Sequence, residues 1–205
     1  MRHAAHADLG LRLTGRAEGV PLRPLGRFQA ALLARRLAAE GPDAVRTSPR
    51  ERARETAQAI AQAAGLTPTV DPRLDEIEFG AWTGRSFESL AGDPDWEAWN
   101  ARRGSARPPG GESMAEAVAR IAALAADLAE EEAGGGARRI VLVTHADMIR
   151  GLVAHVLGLP LDNLLRLEVG PASVTRIEAG PGWARLTGLN DLPRERAGER
   201  RDRAA

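Results

Sequence analysis

The chain has 205 residues, with 28 basic side chains, all arginine, 28 acidic ones, four histidines and no cysteine. Balanced charge excludes the basic excess of a nucleic-acid surface, and the lack of thiols excludes a disulfide framework, a thiolate metal site and a cysteine nucleophile. No apolar run nears the roughly 18 residues of a membrane span and no signal-peptide core opens the chain, so the expectation is one cytoplasmic globular domain with neither nucleic acid nor membrane as partner. Without lysine, any anion site must use arginine, histidine or backbone N–H groups.

The predicted elements alternate. Leu25, Phe28, Leu32, Leu33 and Leu37 recur at helical spacing over 24–40, and Gly41-Pro42 ends that run. A short strand, 44–47, follows. Ser48-Pro49-Arg50-Glu51 reads as a capping box opening a helix to about Ala64. Residues 69–73 suit another strand. Residues 74–111 read as loop with short helical pieces, and 85–111 as a lid or insert whose Trp82, Trp96 and Trp99 pack it onto the core. Arg102, Arg103 and Arg107 read as a solvated face.

Ser113-x-x-Glu116 is a second capping box, for a helix stopped by Gly134-Gly135-Gly136. Ile140–Val143 has the uninterrupted apolar character of a parallel strand covered on both faces. A helix over 147–157 follows, then strand-like segments at 166–169, 173–178 and 183–187. Residues 192–205 are charge-dense with little to bury, a solvated tail. The alternation predicts an α/β three-layer sandwich: a largely parallel central sheet with helices on both faces.

Ligands of such sheets bind beyond the carboxyl ends of the strands, at helix N-termini. Three segments carry polar residues at these points: Thr144-His145-Ala146-Asp147, the helix start with Arg52 and Thr56 on one face, and Met1-Arg2-His3-Ala4 followed by Arg12-Leu13-Thr14-Gly15. An arginine in a first helical turn can fork two phosphoryl oxygens.

The order of motifs is more specific than any one of them. Arg2-His3 is followed by R-L-T-G, then P-L-x-x-x-G-R-x-Q-A (21–30), S-P-x-x-R-A-x-x-T-A (48–57), L-x-E-I-x-F-G-x-W-x-G (74–84), P-G-G-E-S (109–113) and V-x-H (143–145). This series resembles the histidine phosphatase superfamily, the phosphoglycerate-mutase-like fold, from Arg2 to about Asp191. The resemblance implies a single domain over 1–191 and His3 as the nucleophile that becomes phosphohistidine. It also implies Arg2, Arg52 and His145 as ligands of the phosphoryl oxygens and Glu76 as the proton donor, favoured over Asp75 and Glu78. Arg12, Thr14 and Gly15 are candidate substrate neighbours. Neither a metal nor another cofactor is implied, and the partner is a small phosphorylated substrate.

Two departures stand out. Ala4 replaces the glycine usual after the pair, and His6 is not a residue of the family pattern. Only Met1 precedes the pair where the family has a central strand, so that strand is expected to be missing and the natural polypeptide to begin several residues earlier. The implied activity is metabolite phosphomonoester hydrolysis through His3. The alternatives are a phosphomutase, which would retain the phosphohistidine and exclude water, and an inactive member that only binds phosphorylated ligands.

Overall fold

A computed structural model describes residues 1–131 and 137–193. Six helices, α1 (Pro24–Ala39), α2 (Glu51–Ala63), α3 (Phe87–Leu90), α4 (Pro94–Ala101), α5 (Met114–Glu131) and α6 (Ala146–Leu157), accompany five strands, β1 (Ala44–Thr47), β2 (Thr69–Val70), β3 (Ile140–Val143), β4 (Val174–Gly180) and β5 (Trp183–Asp191). Strands β2, β1 and β3 form a parallel sheet in that order, with Ala44 to Thr47 in register with Ile140 to Val143, while β4 and β5 form an antiparallel ribbon.

Alternation along the strands sorts the core into two layers. Val45, Val141 and Val143 point toward Leu33 and Leu37 of α1 and Ala57 and Ile60 of α2. Ile140 and Leu142 point the other way, toward Ile121 and Leu124 of α5 and Met148 of α6. The result is the expected helix–sheet–helix sandwich.

Met1–His3 lies in the interval between β3 and the segment before β4. His3 N donates to Thr144 O at 2.9 Å, Thr144 N to Met1 O at 2.9 Å, and Arg2 N to Ser173 O at 3.1 Å, so this short stretch joins both sheets. Arg2 pairs in parallel with Thr144. The Met1 ammonium donates to Leu142 O and its side chain joins the core. Where the sequence suggested that the strand carrying the nucleophile is absent, its last residues are held in place by backbone hydrogen bonds.

Several local expectations change. The N-cap of α2 is Arg50, not Ser48; Ser48 Oγ accepts only from Arg50 N and is otherwise committed to the site described below. Residues 161–166 form a 3-10 turn, and 166–169 is not a strand. By contrast, the Ser113–Glu116 box closes in both directions, with Glu116 Oε2 accepting from Ser113 N and Ser113 Oγ from Glu116 N. Trp82 and Trp99 are fully buried, and Trp96 packs edge-on against Trp82. The Gly134–Gly136 stop and residues 194–205 of the expected tail lie outside the described residues.

Candidate active site

The carboxyl ends of β1, β3 and the Met1–His3 stretch meet at one point. Ser48 and Arg52 follow β1, His145 is the N-cap of α6 directly after β3, and His3 is hydrogen-bonded alongside Thr144. The rings of His3 and His145, 142 positions apart in sequence, have centroids 5.1 Å apart. Arg52 joins them: its Nε lies 3.3 Å from His3 Nε2 and its Nη2 3.2 Å from His145 Nδ1, while Nη2 also donates to Gly15 O at 2.7 Å.

These contacts select the ring tautomers. His3 Nδ1 is 2.8 Å from Ala4 O, an acceptor only, so Nδ1 carries the proton and the Nε2 lone pair faces Arg52. His145 Nδ1 accepts from Arg52, which puts its proton on Nε2; that nitrogen donates to Ser48 Oγ at 2.8 Å, and Ser48 Oγ donates on to Asp75 Oδ1 at 3.3 Å. Burial, then the charge of Arg52, holds both imidazoles well below their ordinary pKa, so both are neutral. Arg52 Nη1 and Arg2 Nε are buried with no partner, although Arg2 is anchored through Nη1 to Val169 O at 2.7 Å. A pocket with two unpaired guanidinium donors and a lone pair between them is suited to a tetrahedral anion.

The motif residues hold this geometry. Thr56 Oγ1 accepts from Ala4 N at 3.1 Å and Gln29 Oε1 from Ala5 N at 3.0 Å, fixing the turn after His3. Gly26 lets α1 approach that turn: a Cβ there would lie 1.9 Å from Ala5 O. Gly80 and Gly111 explain another pair of blocks, since a Cβ on Gly80 would meet Pro109 O at 2.1 Å and one on Gly111 would meet Glu78 O at 2.3 Å. The two loops around Glu76 pack backbone to backbone.

Glu76 is fixed through its main chain. Its carbonyl accepts from Arg16 Nε at 2.7 Å and Arg120 Nη2 at 3.0 Å, and its carboxyl Oε2 lies 3.7 Å from His145 Nδ1. Burial, reinforced by the charge of Asp147, pushes this carboxyl up to about 7 against the pull of Arg52 and Arg2. Its two sequence neighbours differ. Asp75 is engaged by Arg50 at 3.0 Å and by Ser48, and Glu78 is more exposed, 3.7 Å from Arg16.

A family model described as the histidine phosphatase superfamily (branch 1) matches residues 1–192. The chain belongs to this superfamily. It is 36% identical over 163 residues to the probable phosphoglycerate mutase GpmB of Yersinia enterocolitica, covering 77% of this chain and 73% of that one. Among solved structures, a mycobacterial glucosyl-3-phosphoglycerate phosphatase aligns with a TM-score of 0.81 at 32% identity, over 93% of this chain and 96% of that one. A phosphoserine phosphatase variant from Entamoeba histolytica, in complex with phosphoserine, aligns with a TM-score of 0.80 at 26% identity, over 92% and 93% of the two chains. This superfamily member is accordingly a phosphoric monoester hydrolase or phosphomutase-like enzyme.

The structure brings His3, Arg2, Arg52, His145, Glu76 and Gly15 together, but not every candidate. Arg12 is exposed, donates to Gly84 O at 3.1 Å and pairs with Ser86. Thr14 contributes a carbonyl to a turn, accepting from Ala17 N at 2.8 Å. Three residues gain importance that their sequence context did not announce. Ser48 orients His145. Arg103, expected on a solvated face, is 4% exposed, lies over Trp99 and donates to Asp147 at 2.8 Å. His6 is 4% exposed, with its ring centroid 5.4 Å from that of His3. Ser48 sits in the S-P-x-x-R block, a signal that was available; nothing local distinguishes Arg103 from Arg102.

Proposed function

We propose that this chain hydrolyses phosphomonoesters of small metabolites in two in-line displacements through a phosphohistidine on His3. The observation that carries this reading is the state of His3: Nδ1 is tied to Ala4 O, and Nε2 keeps its lone pair beside two arginines whose Arg2 Nε and Arg52 Nη1 lack partners. The phosphoryl oxygens take those two donors. The arriving dianion also offsets the field that keeps His145 neutral, so Nδ1 gains a proton and donates to the third oxygen.

His3 Nε2 then attacks phosphorus in line. The ester P–O bond breaks, its electron pair stays on the leaving oxygen, and protonated Glu76 supplies that oxygen with a proton. In the second step the Glu76 carboxylate takes a proton from water, the water oxygen attacks phosphorus, and the P–N bond returns its electron pair to His3. No step is routed through a metal or another cofactor.

Residues 1–191 serve as one domain, with 85–111 as its lid. The Arg103–Asp147 pair supports this by linking that segment to the first turn of α6, two residues beyond His145. The balanced charge supports a cytoplasmic enzyme with no nucleic-acid partner. Among the described residues no helix is long and apolar enough to cross a membrane.

A panel of phosphomonoesters assayed with wild type, with His3→Ala and with EDTA tests the mechanism. Activity is expected to vanish in the variant and to survive EDTA, and acid-labile label from a phosphorus-labelled ester is expected on His3. Full activity in His3→Ala would overturn the reading. The relatives named phosphoglycerate mutase favour a second one. Label discharged rapidly to water identifies the hydrolase, whereas label stable to water and passed to an acceptor alcohol identifies the mutase.

A further inference from the structure

The buried donors without partners fall into two groups. Arg2 Nε and Arg52 Nη1 belong to the phosphoryl pocket. His6 Nδ1 and Arg23 Nε are also buried and unpartnered, and the mechanism above uses neither. We propose that His6 and Arg23 form a second anion-binding pair beside the phosphoryl pocket, and that the substrate carries a carboxylate or a second phosphoryl group on its alcohol portion to occupy it. This rests on the reading of the site as a phosphomonoesterase and narrows its substrate class.

The backbone places the two side chains together. His6 pairs antiparallel with Leu22, and Arg23 N donates to Ala5 O at 3.1 Å, so Arg23 follows the strand partner of His6. His6 in turn packs against His3, with its ring tilted 51° to the nucleophile's. A group bound by this pair therefore adjoins the reacting phosphorus without displacing any ligand of it. The third nucleophile-side donor set would be surplus to a single phosphoryl group, whose oxygens already have Arg2, Arg52 and His145.

The chemistry selects an anion over a hydroxyl. Arg23 forms no ion pair among the described residues, and a partly buried guanidinium without a counter-charge is costly. Burial, followed by the charge of Arg52, depresses His6 to about 4, with Arg2 and Arg23 adding to that effect and Asp8 opposing it. The ring is therefore neutral and its Nδ1 is free to donate, while the surrounding positive field attracts a negative group. An anion there satisfies both orphaned atoms at once.

The test compares esters matched in skeleton: 3-phosphoglycerate and phosphoserine against glycerol 3-phosphate and ethanolamine phosphate, with a sugar bisphosphate against the corresponding monophosphate. Wild type is expected to favour the second anion by about tenfold or more in kcat/KM, the size of a charge-assisted hydrogen bond, chiefly through KM. Arg23→Gln and His6→Phe, the latter keeping a ring against His3, are each expected to reduce that ratio about tenfold. Preference for carboxylates or for bisphosphates then identifies the group. A wild-type ratio near one, or variants that slow every ester equally and leave the ratio intact, would overturn the pair while sparing the phosphomonoesterase. Hydrolysis of none of the esters, with no label on His3, would remove both.

Discussion

Arg52 Nε sits 3.3 Å from the Nε2 lone pair of His3, so the nucleophile is neutral and held by the same guanidinium that is to bind the phosphoryl group. Attack requires only that Arg52 exchange a nitrogen for a phosphoryl oxygen. Preorganised donors of this kind cost no reorganisation as charge develops, and loss of one costs about 10²–10³ in rate. Arg52→Gln should lower kcat/KM by at least about hundredfold. It should also raise the pKa of His3, observable by NMR as a histidine titrating closer to the ordinary value. An unchanged rate would mean that the phosphoryl group binds elsewhere.

Glu76 sets the alkaline limit. As the proton donor it must be protonated, and its carboxyl is raised to about 7, so kcat/KM should decline as pH rises through that value. Glu76→Gln should abolish the alkaline limb and reduce kcat by about 10²–10⁴ for esters of poor leaving groups, and by less for an activated aryl phosphate. A pH–rate profile for both substrates checks this.

The same shift predicts an effect on folding. Glu76 binds its proton more tightly in the folded state, so its contribution to stability is complete below the unfolded value near 4.5 and is lost as pH rises through about 7. Glu76→Gln should therefore melt above wild type at pH 8, with the advantage gone at about pH 4. Thermal scans across that interval would show the crossover. An advantage independent of pH would indicate that the carboxyl is not buried as described.

Ser48→Ala should uncouple His145 from Asp75. The variant leaves a buried imidazole N–H unpaired, a cost of about 1–3 kcal/mol, or roughly 2–4 °C in Tm for each kcal/mol in a domain of this size. Loss of the tautomer should lower kcat about tenfold, as removal of an orienting partner does at comparable histidines. Calorimetry and single-turnover labelling of His3 separate the two effects.

Gly26→Ala places a carbon 1.9 Å from Ala5 O, so the turn behind the nucleophile must move. Strain of this kind costs about 1–3 kcal/mol, and displacement of His3 should reduce kcat/KM more than hundredfold, since small misplacement of a reacting group is that expensive. Gly10→Ala is a useful control, because no neighbour lies within 4 Å of its added Cβ and the strain there comes from φ +77° alone. Equal activity losses in the two variants would detach the effect from the close approach to Ala5.

Much of this molecule is written locally. The leucine spacing of α1, the apolar run of β3 and the reciprocal Ser113–Glu116 cap depend on neighbours within a few residues, and each was legible from the chain. The ordered motifs likewise disclosed the family and nominated Arg2, His3, Arg52, Glu76 and His145. Elsewhere the local signal misled. Ser48 resembles a helix cap, but His145 and Asp75 compete for its hydroxyl. Arg103 resembles its exposed neighbour Arg102, yet a buried carboxylate and an indole face receive it.

What the chain determines unaided is therefore which segments coil, which extend and which family they serve, because backbone sterics and side-chain periodicity act at short range. The meeting of His3 with His145, the isolation of Glu76 from water, and the unpaired donors of His6 and Arg23 were decided only when the crossover helices packed on the sheet. Burial and electric field sum over everything nearby in space, and most of those neighbours are distant in sequence.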